Sequence, residues 1–290
     1  MSRQVRFGLD PVAFVNQNGH TRHPQARPTG PSRALMASMD TGHNRSRVAL
    51  VAGATRGAGR AIAVELARAG LYVYATGRSS RAAGRSEIGR SETIEETGEL
   101  LAAAGGHGTA LVVDHEDPVA VAELVARIEA ERGRLDVLVN DIFGGDRYAQ
   151  WDRPLWEHDL AAGLRMLRMG VDTHIITAHA ALPLLLGSNR GLLVEMTDGT
   201  AEVNASYRER VGFFYDLVKA NVSRIILSLT HELRGRPVTA LGVTPGWLRS
   251  EAMLDGFGVT DTDGSRPDAW GYIAVHGMSE QDGTDVERFR

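Results

Sequence analysis

Val48-Ala49-Leu50-Val51-Ala52 runs directly into Gly53-Ala54-Thr55-Arg56-Gly57-Ala58-Gly59, and a helix-forming stretch from Ala61 to Ala69 follows, stopped by Gly70. An apolar run without polar alternation suits a strand covered on both faces. The unit then repeats. Leu71 to Ala75 is a second such run. Thr93-x-x-Glu96 has the form of a capping box, opening a helix that ends at Gly105-Gly106. Ala110 to Val113 is a third run. Asp117-Pro118 offers an N-cap and a first-turn proline to a helix reaching Arg132. Leu135 to Val139, Leu192 to Met196 and Val238 to Val243 complete six strands, separated by helical stretches over Leu155 to Leu186 and Phe213 to Leu233. Alternating strands and helices with right-handed crossovers predict an α/β, doubly wound parallel sheet: a three-layer sandwich in one domain, residues 46–259.

Composition narrows the function classes. The chain has 290 residues, 43% hydrophobic and 23% charged, which suits an ordinary globular domain. Its formal charge of -4, with no basic stripe carrying interleaved aromatics, argues against a nucleic-acid platform. Without cysteine there is no disulfide, no thiolate nucleophile and no thiolate metal site. His107, His115, His158, His174, His179 and His231 form no pair at metal-ligand spacing with a carboxylate, so no metal is expected. No apolar run is expected to approach the ~20 residues of a membrane helix, and no basic-then-apolar leader opens the chain, which implies a cytoplasmic protein. Residues 1–45, with Pro11, Pro24, Pro28 and Pro31, read as a flexible arm. The arm is Arg-rich and acid-poor, compatible with an organelle-targeting peptide or with a start near Met36 or Met39. Residues 260–290 read as an irregular tail, with Gly271 to Val275 a candidate last edge strand.

Glycines between a first strand and a first helix let the backbone turn tightly and approach a pyrophosphate. The helix N-terminus there presents unpaired N–H groups and a partial positive charge. The spacing is Gly-x-x-x-Gly-x-Gly, not the Gly-x-Gly-x-x-Gly of most dinucleotide folds. Asn140 follows the fourth strand, Tyr215-x-x-x-Lys219 lies in the last long helix, and Pro245-Gly246 follows the sixth strand. With these four features in this order, the chain resembles the short-chain dehydrogenase/reductase family over about Val48 to Met253. The resemblance implies a Rossmann-type sheet, a nicotinamide cofactor and hydride transfer between an alcohol and a carbonyl on a small molecule. It also implies a homo-oligomer built through the long helices. It assigns the cofactor to Gly53, Thr55, Arg56, Gly57 and Gly59 of the turn and the adenine amino group to Asp114. Asn140 bonds across the sheet beside the cofactor, and Lys219 falls at the nicotinamide ribose. Pro245, Gly246, Leu248 and Ser250 fall over the nicotinamide.

The second strand ends Ala75-Thr76-Gly77-Arg78, without the acid that would accept ribose hydroxyls. Arg78 and Arg56 offer charge-assisted donors to a 2′-phosphate, so NADP is expected over NAD. The alternative makes Arg78 the start of a basic solvated loop with Arg81, Arg85 and Arg90.

Lys219 is the only lysine; the rest of the Lys+Arg total of 32 is arginine. Tyr215 and Lys219 are spaced i, i+4, on one helix face. In the family the tyrosine is the general acid/base. Bringing a phenol from pKa ~10 to ~7 takes about 4 kcal/mol. One ammonium at ~4 Å with an effective dielectric near 20 supplies about that much.

The chain departs from the family pattern in several places. Over Gly191 to Gly199, Asp198 falls where the family carries its catalytic serine and Thr197 one position before it. Thr197 donates and accepts as serine does, whereas an ionised Asp198 cannot donate and repels alkoxide charge. Thr197 is therefore the expected third catalytic residue with Tyr215 and Lys219. Asp198 would orient it or cap the turn, or be held protonated by burial. Gly170, near Asp172, takes the place of the family's helix-kinking asparagine, which puts the proton relay in doubt. Arg208 and Arg210 lie near the substrate or on solvated surface. Trp247, Leu248 and Met253 begin a lid; Trp151, Phe213 and Phe214 line the pocket or belong to the core. A segment near Phe257 to Asp268 reads as missing, leaving a sheet edge exposed. The rival function is a non-catalytic nucleotide-binding or sensor protein on the same fold; the Tyr215–Lys219 pair favours the enzyme.

Overall fold

The computed structural model describes residues 14–16, 46–199, 201–245, 248 and 250–257. Its strands are β1 (Phe14–Asn16), β2 (Val48–Ala52), β3 (Tyr72–Gly77), β4 (His107–Val112), β5 (Val137–Asn140), β6 (Gly191–Met196) and β7 (Val238–Thr244). They form one all-parallel sheet in the order β1-β7-β6-β5-β2-β3-β4. The helices are α1 (Gly57–Arg68), α2 (Ile94–Ala103), α3 (Pro118–Arg132), α4 (Leu160–Leu167), α5 (Thr173–Leu186), α6 (Ala201–Asn204), α7 (Phe213–Glu232) and α8 (Glu251–Phe257).

Every residue of β2 is buried, and the strand divides its side chains between two cores. Val48 and Leu50 pack with Leu138 of β5, Leu193 of β6, Val121, Leu124 and Ile128 of α3, and Ala181 and Leu185 of α5. Ala49 and Val51 pack on the opposite face with Val73, Ala75 and Val139, under Ala63 and Ala67 of α1 and Ile94 and Leu101 of α2. The period-2 alternation of a strand thus meets helices on both sides, which is why no polar residue interrupts it. In α7, Phe214, Val218, Val222 and Ile226 recur every four residues and form its buried stripe.

Local signals set the helix ends. Asp117 accepts from the N–H groups of Val119 (2.9 Å) and Ala120 (3.3 Å), and Gly133 closes α3 in the left-handed region at φ 68°. Glu96 reaches back to the Thr93 N–H at 3.3 Å, as the expected capping box requires. Between α4 and α5 the helix widens into a π turn, Arg168–Asp172. Gly170 sits in it, and a Cβ there would lie 2.5 Å from Val218. At Gly170 the helix is locally widened, and the missing Cβ lets α7 approach.

Two expectations change and a third goes untested. The arm over 1–45 contributes a strand: Phe14–Asn16 pairs with Gly242–Thr244 of β7, so that stretch of the sheet edge is covered. Such a short pairing leaves no periodic signal in the sequence. The expected tail strand, Gly271 to Val275, lies outside the described residues. The helical stretch Leu160–Leu186, 27 residues, is long and apolar enough by length and composition to cross a membrane. Here its Met166, Met169, Ala178, Ala181 and Leu185 are buried within the domain.

Leu138, fully buried at the centre of the first core, is a test of this packing. Leu138→Ala is expected to cost about 2–5 kcal/mol, read as a lower urea midpoint with an unchanged slope.

Candidate active site

β2 has β3 on one side and β5 on the other, the point where an open parallel sheet leaves a crevice at its C-terminal ends. The turn after β2 presses into that crevice. Gly53 adopts φ 87°, and a Cβ on it would lie 2.2 Å from the Asp141 carbonyl oxygen. A Cβ on Gly59 would lie 2.4 Å from the Gly53 carbonyl. Backbone N–H groups of Gly53 (3.1 Å) and Ala54 (2.8 Å) donate to the Thr76 carbonyl and tie the turn to β3. A cavity of about 370 Å³ opens from this turn. Gly53, Thr55, Arg56, Gly57, Arg78 and Asp114 line it, together with Thr197, Asp198, Lys219, Pro245, Leu248 and Ser250. Gly246 and Trp247 lie outside the described residues.

The lining fits a dinucleotide. The Arg56 Nη1 is buried without a hydrogen bond, 3.7 Å from Glu92. At the N-terminus of α1, the Gly57 N–H donates to the Glu251 carboxylate at 2.9 Å, and Arg60 lies 3.5 Å from the same group. A carboxylate from α8 thus occupies the position an anion takes at a helix N-terminus. Ser250 accepts from the Met253 N–H at 3.3 Å and so starts α8.

Arg78 faces the cavity but is not a free solvated arginine. It donates to Glu116 (2.9 Å) and Glu87 (3.2 Å), and Asp114 lies 3.8 Å away. Arg165 of α4 bridges the same two glutamates, and the Tyr148 hydroxyl donates to Glu87 at 2.5 Å. These partners, Arg165 first, pull the Glu87 pKa down to about 2. They hold the loop between β3 and α2 across the cavity, with Ile88 so close to Gly144 that a Cβ there would lie 2.6 Å from it.

Asn140 is fully buried and bonds across the sheet, donating to Glu195 of β6 at 2.8 Å and to the His174 carbonyl at 3.4 Å. His174 Nδ1 meets the other Glu195 oxygen at 2.5 Å, and its Nε2 lies 2.9 Å from the Ile142 carbonyl. Burial opposes charge on this imidazole, but Glu195 outweighs it and raises the His174 pKa. The sequence reading missed this pair. Its signal was Glu195 itself, a carboxylate inside an apolar strand that demands a buried partner. Asp141, beside it, accepts from the Gly59 N–H; burial raises its pKa to about 7.

At the reacting end the expected electrostatics are corrected. The Tyr215 pKa is raised, by burial first and then by the charges of Asp198 and Asp146, and Tyr215 is not among the residues that line the cavity. The Lys219 ammonium lies over the Phe143 ring at 3.7 Å and only 5.4 Å from the Tyr215 ring centroid. It spends its field on an aromatic face and the nearby aspartates rather than on the phenol. Thr197 is buried, its Oγ1 without a hydrogen-bond partner, and the largest charge acting on the phenol is that of Asp198. Arg208 is 13% exposed and paired with Asp198 at 3.2 Å, not solvated; the surface reading suits Arg210, 61% exposed and 3.0 Å from Asp152. Trp151 stacks 5.4 Å from Tyr215, Phe214 is core, and Phe213 is exposed. No cluster of metal-binding side chains occurs among the described residues.

Residues 47–255 match the family model described as short chain dehydrogenase. The chain belongs to the short-chain dehydrogenase family. It is 26% identical over 221 residues to Dehydrogenase/reductase SDR family member 1 of Mus musculus, covering 75% of this chain and 66% of that protein, just under two thirds of its length. An uncharacterized oxidoreductase of Myxococcus xanthus is 32% identical over 211 residues, 71% of this chain and 73% of that one. The solved structure of a metagenomic short-chain oxidoreductase in complex with NADP superposes with a TM-score of 0.56 at 24% identity, over 69% of this chain and 81% of that one, a likeness of fold.

Two measurements probe the site. Glu251→Ala removes the carboxylate from the α1 N-terminus and is expected to tighten dinucleotide binding about two- to fivefold, the effect of about 0.3–1 kcal/mol of helix-end charge, read by calorimetry. Asp141 has a folded pKa raised to about 7, above its ordinary value of 3.8. The folded state therefore holds a proton that the unfolded state releases, so stability is gained as pH falls through 7 and lost as pH rises through it. Melting temperature should decline from pH 6 to pH 8, and Asp141→Asn should flatten that decline.

Proposed function

We propose that this chain is an NADP(H)-dependent oxidoreductase that moves a hydride between nicotinamide and a carbonyl or secondary alcohol. The observation that carries the reading is the convergence on one cavity of the glycine turn, Lys219 and Asp198, with Tyr215 one turn before Lys219 on α7. When bound, the nicotinamide supplies or receives the hydride. Tyr215 holds a proton at its phenolic oxygen. A phenol kept well above neutrality by burial and flanking carboxylates is fully protonated at pH 7, which suits proton donation to a carbonyl oxygen during reduction. Lys219 and Arg208 supply the positive charge that the phenolate meets after donation. Trp151 and Phe143 pack against the Tyr215 ring, at 5.4 Å and 6.0 Å, and fix its direction.

NADP over NAD is supported by Arg78 on the cavity wall and by the end of β3, which offers no acid to ribose hydroxyls. Glu87 and Glu116 hold Arg78 in place and give way to a phosphate, a stronger multidentate acceptor.

The rival reading, a non-catalytic nucleotide-binding protein, is favoured by one observation, the Asp198 charge that raises the Tyr215 pKa. Oxidation of NADPH with a panel of ketones, aldehydes and quinones separates the two. Tyr215→Phe is expected to lower kcat by about 10²–10⁴-fold with NADPH affinity within about twofold of the parent. NADPH should bind at least about tenfold tighter than NADH, since a charge-assisted phosphate contact is worth 1.4 kcal/mol or more. Dinucleotide binding without turnover of any carbonyl would establish the rival.

A further inference from the structure

Arg165 is not among the residues that line the cavity, yet it holds the acids beside Arg78 more fully than Arg78 does. Its Nε donates to Glu87 at 3.0 Å and its Nη2 to Glu116 at 2.6 Å. Nη1 also donates to Glu116, and Nη2 to Glu87. All three Arg165 nitrogens are engaged, and both oxygens of each carboxylate are met. The Tyr148 hydroxyl adds a further donor to Glu87 at 2.5 Å. The helix that carries Arg165 is fixed in place. Asp159 caps α4 by accepting from Ala161 (2.9 Å) and Ala162 (3.1 Å), and Met166, the next residue, is buried.

Arg78 is held by one nitrogen. Its Nη1 donates to Glu116 at 2.9 Å and to Glu87 at 3.2 Å. Among the described residues its Nε and Nη2 make no hydrogen bond, and the side chain lines the cavity with Asp114 and Glu116. Asp114, 3.8 Å from Arg78, is half exposed and so well screened.

This asymmetry decides what Arg78 is able to do. If Arg78 were the sole cation beside Glu87 and Glu116, a phosphate would have to draw it from two partly buried carboxylates and leave them unpaired, which is costly. Glu116 would then face the phosphate with its charge uncompensated. With Arg165 in place, each carboxylate keeps two charge-assisted bonds when Arg78 turns to the cavity.

Resting on the NADP(H) reading, we propose that Arg165 is a positioning residue for coenzyme choice: it holds Glu87 and Glu116 so that Arg78 is available to the 2′-phosphate. It acts through those carboxylates and does not meet the dinucleotide. NADH carries a hydroxyl where NADPH carries that phosphate, so Arg165 matters to NADPH alone.

The test measures Kd for NADPH and NADH by calorimetry in the parent, Arg165→Met, Arg165→Lys, and Arg165→Met combined with Glu87→Gln and Glu116→Gln. Arg165→Met is expected to weaken NADPH about tenfold, the worth of a hydrogen bond to a charged group, and to leave NADH within about twofold. Arg165→Lys should fall between, because an ammonium cannot meet two carboxylates bidentately. The triple variant should recover NADPH affinity, since neutral amides no longer compete for Arg78. It also keeps the proposal testable if Arg165→Met alone fails to fold. Equal weakening of both coenzymes marks a merely structural role and overturns the proposal. So does an NADPH preference that survives Arg165→Met, or one that the two glutamines do not restore. A parent that binds NADH as tightly as NADPH overturns the coenzyme reading and this proposal with it. NADPH selectivity that depends on Arg165 supports the proposal whether or not any carbonyl is turned over, so the hydride-transfer reading stands or falls separately.

Discussion

The contact on which this molecule turns is the approach of Gly53 to the end of β5. Any side chain at Gly53 would occupy the space of the Asp141 carbonyl. The absence of a Cβ lets the first turn drop between β2 and β5, where the strand order reverses. That single close approach aims the N-terminus of α1 at the crevice and sets the floor of the cavity. Gly59, pressed on the Gly53 carbonyl, holds the helix against the turn. Everything functional is arranged around this floor: the Arg78 loop, Tyr215, Lys219 and Asp198.

A second constraint lies beneath that floor. Glu195 is wholly buried in the sheet, and it is made tolerable by Asn140 on the neighbouring strand and His174 on α5. Removing one partner would leave an uncompensated buried charge, which costs far more than the pair contributes. The arrangement also ties three elements together directly behind the cavity. Asn140 bonds across the sheet as its position after the fourth strand implied, and its partners there are Glu195 and the His174 carbonyl.

The candidate site was legible where chemistry depends on local spacing and illegible where it depends on side-chain direction. The glycine turn, the Tyr215–Lys219 helix face and Asp198 at the end of β6 all lie close in sequence to the features that reveal them. Helix spacing alone suggested that Lys219 would acidify Tyr215. The two share a helix face, but Phe143 comes in from the loop after β5 and takes the ammonium, while the charges of Asp198 and Asp146 act on the phenol from two other segments. No i, i+4 rule contains that information. Arg208 likewise looked like surface until its loop folded it onto Asp198, and Glu251 gave no sign that it would sit on the Gly57 N–H.

The amino-acid sequence by itself determined the parallel sheet, the six long strands and their helices, and the place of the anion-binding turn. Continuous apolar runs can be satisfied only by burial on both faces, and glycines at a strand–helix junction have few other uses. Tertiary structure alone decided which charges face one another: Arg78 with Glu87 and Glu116, Glu251 with α1, Asp198 with Arg208. It also recruited Phe14–Asn16 to the sheet edge. Electrostatic partners are chosen by distance in space, and a three-residue strand is held by the backbone of its neighbour rather than by any pattern of its own.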